Sequence, residues 1–557
     1  MVKKMFIFKL CVICLLNLFS VQIVFAYTQN GNALYFNQDE EAAGAFNVAD
    51  GTTLNLYGVG NNKVLWNDNS GFASNIGGTL NLYDILFALV NTNGINIGLN
   101  GAINAANSSL ILSSLRINSN DFFNNNFKFY SESGDLGKIV NNGTINGAQL
   151  VALIGHAIEN NGAVMANVGK IAIGAAGTGS NVTLTMDAQG QIGIIISDPL
   201  LIENIGEEAL FKNTGNIIAD GGQVVISAQA AKESYIQAVN NTGVIRARSL
   251  QNNNGAISIV GKGGNIEVGQ INGTNVSIAS DGKILEGAFG SLLTAEDLLI
   301  LDAEAGIGDS QLGRAIDFDA VNIKVIDNSA ESIYLAESPN DRTQTVDITS
   351  NNSQGIIDVF MQSGNRIKIL DSNVISRITL LNGEKLSYQT SDGNISFADD
   401  IGHAGLNVSL DALNGALNTF DYKVTGNDVT LNGALGVTAN TDAGILSAKA
   451  DAGDVNITED NQVRLKDINA SGDINIHTGG LTEIDNVVSA QDINISTSDE
   501  LRDANNSSLV SAVNGTITLQ ADKGIGASGM GNAVEVAGKN LVINDNTGND
   551  INIIEAQ

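Results

Sequence analysis

A five-residue pattern returns along this chain at a fixed interval and restricts the folds that the chain can adopt. Segments 453–457, 472–476 and 491–495 read Gly-Asp-Val-Asn-Ile, Gly-Asp-Ile-Asn-Ile and Gln-Asp-Ile-Asn-Ile, at a spacing of 19 residues. Related segments at 515–519 and 539–543 continue the series at a spacing of 24 residues. Each copy carries two apolar residues two positions apart, so both point to the same face of a β-strand.

A single strand of this kind cannot bury its apolar face, whereas strands stacked coil upon coil share one continuous core. The sequence therefore predicts an all-β fold, a right-handed parallel β-helix (solenoid) of roughly 25 coils of about 20 residues. Asn at matching positions would form stacked amide ladders. An antiparallel barrel or sandwich is the alternative, but the regular spacing without alternating hairpin turns argues against it.

The scarcity of proline supports continuous sheet. Only Pro199 and Pro339 occur in 557 residues, beside 62 Gly and 5% aromatic residues. Proline removes a donor from the β-ladder, so a chain built of many short strands and tight turns would avoid it. One short helix is expected, over residues 228–239.

Residues 1–26 have the features of a secretory signal peptide. Lys3, Lys4 and Lys9 precede an apolar run, and Val24-Phe25-Ala26 is a suitable cleavage site. Both cysteines, Cys11 and Cys14, lie in this segment, so the mature chain contains no cysteine. No second apolar stretch is long enough to span a membrane. We therefore expect an exported protein without disulfides.

The charge of the chain is strongly acidic, with 28 Lys and Arg against 59 Asp and Glu and a net charge of −31. Nucleic acid is therefore excluded as a partner, because phosphate binding needs a basic face. The carboxylates are scattered rather than arranged in runs, which is typical of a solvated, aggregation-resistant surface.

Patterns for catalysis or cofactor binding are few, and we expect neither enzymatic activity nor a cofactor. His156, His403 and His477 are far apart and lack the spacing of metal ligands. Gly524-x-Gly526-x-x-Gly529 matches a dinucleotide fingerprint, but no helix or βαβ unit follows it. The segment instead resembles Gly306-Ile307-Gly308, which indicates a repeated loop.

Two acid pairs keep an enzymatic alternative open. Asp317 and Asp319 lie two positions apart on one predicted strand, and Asp399 is followed by Asp400. Some β-helical polysaccharide enzymes use carboxylates on such a face for acid–base chemistry. In so acidic a chain, a solvated face is the simpler interpretation.

A short polar segment, Asn91-Thr92-Asn93-Gly94-Ile95, follows the apolar run 85–90. Asn and Gly tolerate left-handed backbone angles, so the pattern is typical of a turn that follows a strand. Several other stretches accompany it in a fixed order, among them Asn-Asn-Gly-Thr-Ile at 141–145. The full set comprises residues 66–67, 76–80, 91–98, 140–145, 151–155, 158–164, 166–173, 221–228 and 240–247.

On these stretches, residues from about 30 to 285 resemble the amino-terminal secretion domain of two-partner-secretion exoproteins, the filamentous haemagglutinin family of bacterial adhesins. The resemblance implies a secretion domain at 27–285 and a β-helical repeat region at 286–557. Thr92 stands where the family usually has proline, so the turn loses a fixed φ. A second Asn-Pro-Asn-Leu motif, present in some members, has no counterpart here.

The resemblance also implies a route of export. A dedicated outer-membrane β-barrel transporter with periplasmic peptide-binding domains would recognise the amino-terminal domain, and the chain would fold outside the cell. Asn91, Asn93, Gly94 and Ile95 are the candidate recognition residues, with a purely structural turn as the alternative.

The implied function is that of a secreted or surface-exposed adhesin, with a host-cell receptor or glycan as a further partner. A cytolysin or toxin-delivery exoprotein of the same family and a β-helical polysaccharide-active enzyme are the alternatives.

Overall fold

The computed structural model describes residues 27–556 with short gaps. The gaps are 133, 189, 198–208, 232–236, 249–254, 288–289, 310–314, 328, 330, 339–344, 351–355, 361–365, 371–375, 382–384, 391–393, 398–399, 506–507, 527–532 and 546–547. The predicted signal peptide at 1–26, both prolines, Asp399 and Gly529 lie outside the described residues.

The described chain is a parallel β-solenoid with almost no helix, which confirms the predicted fold class. It has about 18 stacked turns, not the roughly 25 expected, because several coils are much longer than 20 residues. Asn104 and Asn146 occupy equivalent positions in adjacent coils although they are 42 residues apart in sequence. At 4.8 Å per stacked strand, the rod is on the order of 90 Å long.

The front coils, residues 27–285, contain one helix and 28 strands among the described residues. The helix is α1 (Ser119–Phe123). The strands are β1 (Tyr27–Asn30), β2 (Ala33–Phe36), β3 (Glu40–Ala43), β4 (Thr53–Asn67), β5 (Ser74–Ile76), β6 (Thr79–Val90), β7 (Ile95–Ile97), β8 (Ala102–Ala106), β9 (Ser109–Ser113), β10 (Arg116–Ile117), β11 (Phe127–Tyr130), β12 (Ile139–Asn141), β13 (Thr144–Gly147), β14 (Leu150–Gly155), β15 (Ile158–Asn160), β16 (Ala163–Met165), β17 (Lys170–Ala176), β18 (Asn181–Met186), β19 (Ile192–Ile196), β20 (Ala209–Asn213), β21 (Asn216–Ile218), β22 (Gln223–Gln229), β23 (Gln237–Asn241), β24 (Val244–Ala247), β25 (Ala256–Lys262), β26 (Asn265–Val268), β27 (Gln270–Ser280) and β28 (Ile284–Glu286).

These strands form three columns around one apolar core. The first column stacks β2, β4, β6, β8, β13, β16, β21, β24 and β27. The second contains the later halves of β4 and β6 with β9, β14, β17, β22 and β25. The third stacks β5, β7, β12, β15, β20, β23, β26 and β28. The helix predicted over 228–239 is wrong at its described ends, since β22 and β23 occupy them.

An antiparallel hairpin closes the first coil. Strands β1 and β2 pair antiparallel, and the ring of Tyr27 lies over the core rings of Phe36 and Trp66, with centroids 5.4 and 6.2 Å away. Phe46 packs edge-on against Trp66 at 5.1 Å. These rings cover apolar side chains that the end of a stack would otherwise expose to water.

A second layer covers one side of the front coils. This layer was not predicted from the sequence. Strands β10, β11, β18 and β19 form an antiparallel sheet, which packs with α1 on the outward face of the second strand column. Phe122, Phe129 and Val182 of this layer share a separate hydrophobic cluster with Ile111 and Ile154 of the solenoid. Strand β14 is consequently buried on both faces.

The predicted amide ladders are present. Inside the front coils, Asn141, Asn160, Asn213 and Asn241 are fully buried, and each Nδ2 donates to the next Oδ1 at 2.7 Å. A second ladder runs along the outside of the first strand column through Asn55, Asn81, Asn104 and Asn146.

A column of glycines follows the buried ladder, two residues after each Asn. It contains Gly143, Gly162, Gly215 and Gly243. A Cβ on Gly162 would lie 2.0 Å from the carbonyl oxygen of Gly143, and a Cβ on Gly215 would lie 2.0 Å from that of Gly162. The recurring Asn-x-Gly segments are thus corners at which successive coils approach too closely for any side chain.

The middle of the rod contains β29 (Leu292–Ala303), β30 (Ile316–Asp327), β31 (Ile333–Glu337), β32 (Thr345–Ser350), β33 (Ile356–Phe360), β34 (Arg366–Leu370), β35 (Ser376–Leu381) and β36 (Lys385–Thr390). Strands β34 and β35 run against the stack: β33 pairs antiparallel with β34, and β35 pairs antiparallel with both β32 and β36. Parallel pairing resumes from β36 onward.

The rear coils, residues 401–545, follow. Strands from 395 onward are β37 (Ile395–Ser396), β38 (Ile401–Gly402), β39 (Asn407–Ala412), β40 (Leu417–Gly433), β41 (Val437–Ala450), β42 (Val455–Glu459), β43 (Val463–Ala470), β44 (Ile474–Thr478), β45 (Thr482–Ile484), β46 (Asn486–Ser489), β47 (Ile493–Thr497), β48 (Leu501–Asp503), β49 (Leu509–Ala521), β50 (Val534–Asp545) and β51 (Ile553–Glu555). The 19-residue repeat is confirmed, since Asn456, Asn475 and Asn494 pair directly in register.

The Gly-Ile-Gly echo is a repeated loop, as the sequence indicated. Ile307 and Ile525 each form single bridges to the coils on both sides. The flanking glycines have matching positive φ angles, 105° and 72° at Gly306 and Gly308 against 118° and 71° at Gly524 and Gly526. In the described part of the chain, no helix has the length and apolar character that crossing a membrane requires.

Candidate functional site

The segment Asn91–Ile95 forms a tight corner between β6 and β7, and Asn91 holds it together. Its side chain is fully buried. Nδ2 donates to the carbonyl oxygen of Phe72 and to Oγ of Ser74, both at 2.9 Å. Oδ1 accepts the backbone N–H of Asn93 at 2.8 Å, the contact that defines an Asx turn. Asn91 therefore links two adjacent coils.

Gly94 and Ile95 complete the corner. Gly94 has φ of 109°, and a Cβ there would lie 2.8 Å from the carbonyl oxygen of Lys138 in the next coil. The position therefore requires glycine. Ile95 is fully buried in the core and stacks in register between Ser74 and Ile139.

Asn93 differs from the other three candidate residues because its side chain is exposed. The structure thus brings the four predicted residues together in one corner but presents only one of them to solvent. In the folded protein, Asn91, Gly94 and Ile95 serve the stacking of coils. Sequence alone could not separate these roles, because Asn suits both a buried Asx turn and an exposed tip.

Thr92, which stands where the family that the sequence resembles usually has proline, is held by a neighbouring segment. Its carbonyl oxygen accepts the N–H of Gly137 at 3.0 Å, two residues after the buried carboxylate of Asp135. Arg116 donates to both oxygens of that carboxylate, at 2.7 and 2.9 Å. The backbone hydrogen bond to Gly137 therefore ties this turn to the segment that Arg116 holds through Asp135.

The electrostatics of Asp135 reflect these contacts. Burial on its own would raise the pKa of the carboxyl, but the hydrogen bonds from Arg116 and the Glu132 backbone outweigh it and lower the pKa. Bidentate pairs of arginine with carboxylate are among the stronger polar contacts in proteins. Asp135 is therefore ionised at neutral pH and fixes the corner to the second layer.

A polar cavity of about 500 Å³ adjoins this corner. Thr92 and Asn93 line one side, and Arg116, Asn118 and Tyr130 of the second layer line another. Asp68 also contributes, but its carboxylate is already saturated: it accepts from the Phe46 N–H, the Ser70 N–H and the Ser74 hydroxyl at 2.6–3.0 Å.

Asp68, Arg116 and Asp135 were not predicted from the sequence. No motif marks them, because they come from three separate segments that meet only when the second layer packs on the coils.

The other polar candidates do not form a site. His156 is buried, with a pKa lowered by burial, and its Nδ1 lies 3.1 Å from the carbonyl oxygen of Ala176. His403 and His477 are exposed in other coils. Among the residues that the structure describes, no group of three or more His, Cys, Asp or Glu could hold a metal ion.

The acid pair Asp317 and Asp319 is not a solvated face. Asp319 is buried and Asp317 is half-buried. Burial raises the pKa of Asp317. The expectation that this pair faces water was therefore wrong.

Comparison with known proteins finds likeness among solved structures. No family model matches the sequence, and no curated protein matches it. Among solved structures, the chain is similar to the HMW1 secretion domain from Haemophilus influenzae, with 18% identity and a TM-score of 0.40, covering 78% of this chain and 98% of that one. A likeness this low carries no functional conclusion.

Proposed function

We propose that this protein is an adhesin-like exoprotein without enzymatic activity, exported by two-partner secretion and secreted or displayed at the bacterial surface. Residues 1–26 act as its signal peptide, 27–285 as its secretion domain and 286–557 as a β-helical extension. The ordered sequence resemblance over residues 30–285 supports the family. The observation that carries the proposal is that the resembling stretches stack as corners and core strands of one front solenoid.

The geometry of the corner adds a mechanism. A transporter that reads Asn91, Gly94 and Ile95 must meet them before the coils form, since all three are buried afterwards. The proposed partner, an outer-membrane β-barrel with periplasmic peptide-binding domains, therefore binds an unfolded segment. Folding outside the cell then hides that segment, so that the chain cannot rebind and export proceeds in one direction.

The chain is suited to threading in an unfolded state. The mature segment has no cysteine and only two prolines, so neither disulfides nor many slow isomerisations oppose passage or refolding. Parallel coils pair mainly with their neighbours, so folding can propagate from one end.

Export of variants beside a partner transporter tests the proposal. Asn93→Ala is the decisive change, because its exposed side chain can be removed with little effect on stability. We expect surface export to fall at least about tenfold, equivalent to some 1.4 kcal/mol of recognition, while the purified variant folds normally. Asn96→Ala, on the outside of β7 in the next turn, serves as the matched control and should export normally. Unchanged export of Asn93→Ala would remove the assignment of this segment.

A further inference from the structure

One face of the rear coils carries no charge, in spite of the acidity of the chain. It consists of outward side chains on β41, β42, β44, β47, β49 and β50, which we call the rear strip: Thr438, Asn440, Asn456, Thr458, Asn475, His477, Asn494, Ser496, Thr518, Gln520, Val542 and Asn544. The strip holds no Asp, Glu, Lys or Arg, while the whole chain carries a net charge of −31. The register of the six strands places these residues in two straight columns.

The strip retains hydrogen-bonding capacity. Asn475 donates to Asn456 at 2.9 Å, and Asn494 donates to Asn475 at 2.9 Å. Each ladder bond uses one N–H of an amide and one acceptor site of the next, and a primary amide has two N–H groups and two lone pairs. Because Asn475 and Asn494 are exposed, the remaining groups point toward solvent. His477, also exposed, adds a ring hydrogen-bonded to Ser496 at 2.9 Å.

The spacing of these groups is that of the solenoid itself. Side chains at equivalent positions recur about every 4.8 Å along the axis, so the strip offers a polar group at nearly every step, and the same amide at Asn456, Asn475 and Asn494. A ligand that uses them all must itself be an extended polymer with a repeat of similar length. A β-linked chain of pyranose rings has this form, with hydroxyl groups along both edges.

The edges of the strip restrict the charge of the ligand. Asp454, Asp473 and Asp492 line one edge, where their Oδ1 atoms accept the backbone N–H groups of Asp473, Asp492 and Thr516 in the next coil, at 2.8, 3.1 and 2.7 Å respectively. Along the other edge, Asp460 and Asp499 are ion-paired with Lys423 and Lys523. The carboxylate edge repels anionic polymers but can accept hydrogen bonds from hydroxyl groups.

The outer ladder of the front coils does not offer the same surface. Asn55, Asn81 and Asn104 are only half-exposed. The neighbouring Tyr35, Tyr57 and Tyr83 stack on one another with centroids 5.0 and 4.7 Å apart, which hides the ring faces that would otherwise receive a sugar.

We propose that the rear strip binds a neutral, β-linked glycan lying along the rod axis. This deepens the adhesin function proposed above by naming a surface and a ligand class. The binding surface needs only the folded chain. It can therefore be tested without a transporter, and failure of export and failure of glycan binding are separate results.

Calorimetric titration of the folded mature chain with cellohexaose and chitohexaose tests the proposal. We expect at least one to bind, with an affinity that changes little between low and high salt because no charges pair. The triple variant Asn475→Ala, His477→Ala, Asn494→Ala should bind at least about tenfold more weakly. The control Asn469→Ala, Asn486→Ala, Ser511→Ala removes three polar groups from the neighbouring strand column and should bind as the parent does.

Several results would overturn the proposal. They are absence of binding to both hexasaccharides, equal binding by the triple variant and the parent, and binding only of a polycation that salt abolishes. Sedimentation provides a second readout: a parent that dimerises while the triple variant stays monomeric would assign the strip to a second copy of the chain instead. Circular dichroism of both variants establishes that they remain folded.

Discussion

The front coils contain a buried amide ladder in addition to an outer one, whereas the repeat of the rear coils forms an outer ladder. In the front coils the Asn141–Asn241 ladder is fully buried, beside a column of glycines. In the rear coils the Asn456–Asn494 ladder lies on the surface. A buried ladder constrains every coil, because each amide must find its partner. A surface ladder leaves its amides available to a ligand. The buried ladder therefore constrains folding, and the rear ladder forms part of the surface proposed above to bind a glycan.

Substitution in the glycine column should give the largest loss of stability. Gly162→Ala places a Cβ 2.0 Å from backbone of the adjacent coil, where no flexible side chain can yield, and we expect a loss of about 5 kcal/mol in unfolding free energy. Gly405→Ala near the rear coils, where the nearest atom to a new Cβ is the His403 ring at 3.5 Å, should change it by under about 0.5 kcal/mol. Urea unfolding followed by circular dichroism provides the measurement. Similar midpoints for the two variants would contradict the close-packed corner.

The second layer should give the next largest effect. Phe122 is fully buried against Phe123 and Phe127, at centroid distances of 5.3 and 5.9 Å. Phe122→Ala should cost about 4 kcal/mol and accelerate hydrogen exchange in the front coils alone. Phe72→Ala removes an equal ring that is 77% exposed and serves as the control. Faster exchange in the rear coils as well would show that the two regions are not separate.

Acidity should distinguish three hydrogen-bonded carboxylates of the front coils from two buried carboxylates farther along the rod. In the front, hydrogen bonds and ion pairs outweigh burial and lower the pKa of Asp68, Asp135 and Asp220. Their stabilisation is therefore present above about pH 4 and is lost as the pH falls further. Behind the front coils, burial raises the pKa of Asp327 to about 6 and also raises that of Glu459.

Asp327 tests the opposite sign. A carboxyl with a raised pKa destabilises the fold when ionised, and this cost disappears as the pH falls through 6 toward 4. Asp327→Asn should therefore stabilise the protein at pH 7.5 by up to about 3 kcal/mol and have little effect at pH 4. Thermal unfolding of parent and variant at both values is the measurement. A variant that is less stable at pH 7.5 would contradict this prediction. It would show that the ionised carboxylate stabilises the fold, for example by accepting the hydrogen bond that the Ser329 hydroxyl donates at 2.8 Å.

Substitutions in the two amide ladders should show the smallest difference in unfolding free energy. Asn160→Ala removes the 2.7 Å ladder bonds to Nδ2 of Asn141 and Oδ1 of Asn213 inside the protein and should cost about 2 kcal/mol. Asn475→Ala breaks bonds that water can replace and should cost under about 0.5 kcal/mol. Denaturant midpoints of the two variants give the comparison directly, and equal losses would show that exposure does not determine what a ladder contributes.

The sequence predicted the features that repeat. The 19-residue period revealed the register of Asn456, Asn475 and Asn494, and the i, i+2 pattern identified their buried neighbours. Both signals are local and recur in each coil. They led correctly to a parallel solenoid with amide ladders.

Features that occur once were not predicted. The second layer joins Phe127 to Leu184, residues far apart in sequence and in segments without a period. The reversal of β34 and β35 also escaped notice, since an alternating pattern such as Arg366-Ile-Lys-Ile-Leu370 reads the same in either strand direction. The burial of Asn91 and Ile95 at the candidate site depends on the coils above and below, which a linear motif does not contain.

The reversed strands β34 and β35 also affect how the rod behaves as a whole. A solenoid is close to a one-dimensional array of coupled units, in which each coil is stabilised by parallel pairing with the adjacent coils. At the reversed strands the parallel pairing is interrupted on both sides, so the coupling between neighbouring coils is weaker there. Cooperative unfolding should therefore not extend across the reversed strands. We therefore expect the rod to unfold in two thermal transitions, one for the coils on each side of the reversed strands.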